Sequence, residues 1–101
     1  GRQVETGAPD HPVLYQNAPN PFNPSTAIRF DVSEAFDVRL SIYNLLGQEV
    51  RRLIRERRRP GSYTVIWDGT DNTGRRVASG IYLYKVSIGQ FRDVKKLVFL
   101  R

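Results

Sequence analysis

The chain has 101 residues, 40% of them hydrophobic and 26% charged, which is one domain's worth of ordinary globular sequence. It contains no cysteine, no methionine and a single histidine, His11; disulfides, thiolate nucleophiles and Cys/His metal centres are excluded together. The formal net charge is +6, and most of it lies in residues 51–59, where Arg51, Arg52, Arg55, Arg57, Arg58 and Arg59 accompany one glutamate.

Residues 1–12 show no periodicity and read as a linker, with the domain proper over 13–101. Starting on Gly1-Arg2-Gln3 without an apolar leader, the sequence reads as a piece of a longer protein. No apolar run approaches the ~20 residues of a membrane-spanning helix. A short strand is expected over 13–16. The segment Asn17-Ala18-Pro19-Asn20-Pro21-Phe22-Asn23-Pro24 follows, where three prolines remove backbone donors and bar both a helix and a central strand. It reads as a stiff strap around one aromatic of the kind that is buried.

From Ala27 the period is two. Ile28, Phe30 and Val32 share one face, with Arg29 and Asp31 on the other. Val38, Leu40 and Ile42 alternate with Asp37, Arg39 and Ser41 in the next strand, which a turn at 43–47 closes. Residues 49–54 form a further strand and 55–61 a basic loop. Tyr63, Val65 and Trp67 then share a face, and 68–74 is rich in turn residues. Tyr82, Tyr84, Val86 and Ile88 line one face of the next strand. Gly89-Gln90 makes a hairpin turn into a last strand over 91–100. The expectation is an all-β, two-sheet antiparallel sandwich of about seven strands. Gly47, Asp68, Gly69, Gly74 and Gly80 are its expected turn residues.

Catalysis fails on inventory, because the one histidine lies in the linker and no nucleophile has a framed base. No cofactor is implied. Asp68-Gly69-Thr70-Asp71-Asn72 has the residue types of a calcium loop. However, position 70 is Thr and no distal glutamate follows, so it reads as a turn. The arginine run invites polyanions, but no recognition helix or aromatic platform accompanies it, so nucleic acid is not an expected partner.

Four stretches together resemble a known family. They are Leu14-Tyr15-Gln16-Asn17-Ala18-Pro19-Asn20-Pro21-Phe22-Asn23-Pro24-Ser25-Thr26, Ile42-Tyr43-Asn44-Leu45-Leu46-Gly47-Gln48-Glu49-Val50, and Trp67-Asp68-Gly69-Thr70-Asp71-Asn72-Thr73-Gly74 running on to Val77-Ala78-Ser79-Gly80-Ile81-Tyr82-Leu83-Tyr84. The last is Lys95-Lys96-Leu97-Val98-Phe99-Leu100-Arg101. In this order they resemble the C-terminal sorting domain of the type IX (Por) secretion system, in its immunoglobulin-like version. That domain is similar to the Ig-like domain of the flagellar hook-capping protein.

The resemblance implies a non-catalytic sandwich at the end of an exported bacterial protein, read by the outer-membrane secretion machinery and displayed at the cell surface. It also implies a surface sortase that removes the domain and joins the parent to an anionic lipopolysaccharide, or else retention of the domain as an anchor. Asn20, Pro21, Phe22, Asn23, Pro24, Lys95, Lys96 and Arg101 are then the expected signal residues. The two lysines read equally as receptor contacts or as charges that guard an edge strand. The loop at 55–60 departs from the family in being arginine-rich. The competing reading is an Ig-like structural or carbohydrate-binding accessory module.

Overall fold

Seven strands lie within residues 8–101, the part that the computed structural model describes, and alternation of apolar and polar residues marks most of them. They are β1 (Val13–Leu14), β2 (Thr26–Val32), β3 (Phe36–Tyr43), β4 (Glu49–Arg58), β5 (Gly61–Trp67), β6 (Gly80–Ile88) and β7 (Phe91–Phe99). One antiparallel sheet has the order β1-β2-β5, the other β4-β3-β6-β7, as the expected sandwich requires. Residues 8–12 of the expected linker contain no strand or helix, and 1–7 lie outside the described residues.

The inward faces are those the alternation predicts. Ile28, Phe30 and Val32 of β2 are buried, as are Val38, Leu40 and Ile42 of β3 and Tyr82, Tyr84, Val86 and Ile88 of β6. Each such side chain contributes about 1.5–3 kcal/mol. Trp67 closes one end of the core with Phe22, Tyr82 and Phe99; the other aromatic ring centroids lie 5.5–6.1 Å from its own.

Three expectations are corrected. Residues 55–58 are strand, not loop: β4 continues to Arg58, with Arg55 opposite Arg39 and Arg57 opposite Asp37. The partner strand supplies the backbone bonds, and an outer strand tolerates charges that a central one would not. The strand expected at 13–16 ends at Leu14. Tyr15 N–H still donates to Arg29 O, after which the strap turns the chain away. Asp31, placed on the solvent face, is buried; its carboxylate accepts from Tyr15 Oη at 2.5 Å and Ser62 Oγ at 2.7 Å. Two hydroxyls, one from the segment just after β1 and one from β5, supply what water would have given it.

Candidate functional site

The four motif stretches, up to about eighty residues apart in sequence, meet at one end of the sandwich. The strap is fastened there from both sides. Asn17 Nδ2 donates to Thr26 Oγ1 and Pro19 O, and Ala18 and Ala27 exchange both backbone bonds. Asn17 N–H donates to Tyr84 Oη, which donates to Tyr15 O; burial pushes the Tyr84 phenol up to about 12.

On its other side the strap lies along the outer edge of β7. Phe22 N–H donates to Val98 O, Leu100 N–H to Phe22 O, Val98 N–H to Asn20 Oδ1, and Gln16 Nε2 to Lys96 O. β7 is the outermost strand of its sheet, as expected, but its edge from Lys96 to Leu100 is already occupied. The Phe22 ring stacks 4.9 Å from Phe99 and is 2% exposed. Of the expected signal residues, Phe22 is therefore core and Asn20 a clasp, whereas Pro21, Asn23 and Pro24 face solvent.

The loop after β5 performs the same service at the opposite edge. Asn72 N–H donates to Val50 O, and its Oδ1 accepts from Arg52 N–H, covering the start of β4. Arg51 donates to Asp71 O at 2.7 Å, and Trp67 Nε1 to Thr70 O at 2.8 Å. Asp68 Oδ1 accepts from the hydroxyl and N–H of Thr70, and Asp71 Oδ1 from the hydroxyl and N–H of Thr73 and the N–H of Arg75. These bonds, the hydroxyls foremost, hold both carboxyls below their ordinary value.

A carboxylate with a depressed folded pKa adds stability above its unfolded pKa and loses it as pH falls through the folded value. The loop is accordingly expected to loosen as pH drops below the usual carboxylate range near 4. Trp67 fluorescence reports it, and an Asp68→Asn, Asp71→Asn variant should flatten that transition.

The turn from β3 to β4 is rigid and apolar at its tip. Asn44 Oδ1 accepts from Leu46 N–H and Gln48 N–H, while Asn44 and Gln48 also pair through backbone and side-chain amides. Leu45 and Leu46 are presented to solvent at 64% and 84% exposure. Sequence reasoning passed over this pair. The available signal was two adjacent leucines between Asn44 and Gly47, where alternation provides no core to enter.

The expected turn glycines Gly47, Gly69, Gly74 and Gly80 have φ of +85°, +78°, +89° and +153°. Lys95 and Lys96 point to opposite faces of β7; Lys95 lies 4.0 Å from Asp93, and Lys96 is exposed. Arg101 N–H donates to Ser79 Oγ.

The arginine run does not form one patch. Arg51 braces the 68–74 loop. Arg58 lies over the Tyr63 ring and pairs with Glu56 at 2.8 Å, and Arg57 pairs with Asp37. Arg52 and Arg55 project from the outer face of β4, and Arg59 is exposed in the turn before β5.

The family model of the FlgD Ig-like domain matches residues 19–90. No curated protein matches the chain. Among solved structures, dimeric latent PorU from Porphyromonas gingivalis is similar over 98% of this chain and 10% of its own, at 23% identity and TM-score 0.68. PorZ of the same organism, an essential bacterial surface component of the type-IX secretion system, is similar over 87% of this chain and 11% of its own, at 20% identity and TM-score 0.56. FlgD from Xanthomonas campestris, a structure bearing on the hook capping essential for flagellar assembly, is similar over 90% of this chain and 63% of its own, at 24% identity and TM-score 0.58. These likenesses establish an immunoglobulin-like fold. The chain spans about a tenth of PorU and of PorZ.

Proposed function

The chain belongs to the FlgD Ig-like domain family, and we propose that it is a non-catalytic domain through which outer-membrane secretion machinery delivers a larger exported protein to the cell surface. The observation that carries this reading is the convergence of four distant stretches on one pole. Most of their residues are spent on folding and on covering sheet edges. What they leave outward is a fixed constellation: the Leu45-Leu46 tip, Pro21, Asn23 and Pro24. A receptor meeting these groups loses little entropy, because the hydrogen bonds of Asn44 and of the strap hold them already. Similar folds in PorU and in PorZ, a surface component of the type-IX system, accord with the proposal.

A reporter carrying an export signal and fused to this chain is expected at the cell surface of a type IX-bearing bacterium. Leu45→Ser with Leu46→Ser leaves the core intact and is expected to hold most of the reporter in the periplasm, since each leucine that a receptor buries is worth about 1.5–3 kcal/mol. Equal surface delivery with the whole domain deleted would reject the proposal. That outcome would favour an accessory or scaffold module, the reading to which the FlgD match lends weight.

A further inference from the structure

We propose that the outer face of the four-stranded sheet docks onto a lipid membrane whose phosphate headgroups carry net negative charge, independently of any role in secretion. Strand register assembles this face from residues far apart in sequence. One row across the sheet reads Arg55, Arg39, Ser87, Arg92; the next reads Arg52, Ser41, Lys85, Val94. With neighbouring strands ~4.8 Å apart, four strands place these groups across a strip about 14 Å wide. Two shallow depressions on this face share Arg39, Ser41 and Tyr43.

The charge on the strip is unbalanced. Asp37 and Glu49, at its margins, are taken by Arg57 and Arg52. Among the described residues Arg39, Arg55, Lys85, Arg92 and Lys96 have no carboxylate partner within ion-pair distance. Arg39 and Arg55 stand directly opposite each other, an arrangement that destabilises a sheet unless an anion joins them. Among the described residues, the outward face of the other sheet carries a single exposed cation, Arg29, which lies over the Tyr15 ring among the neutral Ser62, Thr64 and Ile66. The excess is therefore a property of one face, not of the whole surface.

The same face is aliphatic along β6 and β7. Ile81, Val94 and Leu100 are 42%, 47% and 50% exposed, with Leu83 and Val98 between them. A soluble polyanion would use the cations alone. A bilayer surface uses both, cations at the phosphates and short aliphatic side chains at the acyl boundary. Nucleic acid is the weaker match, since Tyr43, the aromatic of this face, lies 4.5 Å under the Lys85 ammonium and offers no free ring for a base.

The test is co-sedimentation of the chain with vesicles of phosphatidylcholine and phosphatidylglycerol at 3:1, against phosphatidylcholine alone. Binding is expected to the anionic vesicles only, and to weaken with salt. Each surface cation is worth about fivefold in partition, so Arg39→Thr, Arg55→Thr, Arg92→Thr together should lower binding about a hundredfold. Ile81→Ser with Leu100→Ser should lower it about tenfold at unchanged charge. Unchanged Trp67 fluorescence certifies the fold of each variant. No binding by the parent chain, or equal binding by the triple variant, overturns the proposal. Full binding by the Ile81, Leu100 variant together with complete competition by dextran sulfate also overturns it, and assigns the face to a water-soluble polyanion.

Discussion

Replacing Phe22 by alanine is expected to destabilise the domain by about 3–5 kcal/mol, the usual range for a buried aromatic truncated in a packed core. The ring is 2% exposed and touches Phe99 and Trp67, which are wholly buried. Its backbone also exchanges two bonds with Val98 and Leu100, so a shift of the strap to fill the cavity would strain a ladder. A domain of this size has about 5–15 kcal/mol in all, and the loss approaches half of it. Urea denaturation followed by Trp67 fluorescence measures it. Asn23→Ala, one residue along and exposed, serves as the control and should change stability by less than about 0.5 kcal/mol. A loss below about 1 kcal/mol for Phe22→Ala would mean that the strap is an appendage and not a structural layer.

The second large effect is expected at Gly69. Its φ of +78° is one that L side chains rarely adopt, and a Cβ there would meet Phe99 Cζ at 2.8 Å. Phe99 cannot retreat, because Phe22 and Trp67 hold it. Gly69→Ala therefore combines left-handed strain, about 1–2 kcal/mol, with overpacking, about 1–3 kcal/mol. Gly74 separates the two contributions. It has a similar φ of +89°, but a methyl group added there would meet nothing within 4 Å, so Gly74→Ala should show the strain alone. Equal losses at the two positions would show that the Phe99 contact is immaterial.

Where one face of a strand is apolar and the other polar, the sequence alone locates the strand. Ile28-Phe30-Val32, Val38-Leu40-Ile42 and Tyr82-Tyr84-Val86-Ile88 are inside because each alternates cleanly. β4 escaped that test beyond Ile54, because a run of arginines has no alternation to read. Its extension to Arg58 is imposed by β3. Asp31 was misplaced because its partners, Tyr15 and Ser62, belong to segments on either side of it. The basic face was illegible for the same reason in reverse. The local cluster at 51–59 is the conspicuous one, yet register scatters that cluster and joins two of its members to Arg39, Lys85 and Arg92.

The clasp between Phe22 and residues 98–100 also governs timing. A polypeptide emerging from a ribosome or a translocation pore in the amino-to-carboxyl direction releases the strap first and its partner last. Phe22, Trp67 and Phe99 cannot assemble until nearly the whole domain is out, and closure across so long a loop is intrinsically slow. Closure of this end of the core is thus expected to come last in folding, and loss of a few residues from the last strand should unfasten the strap that opens the domain.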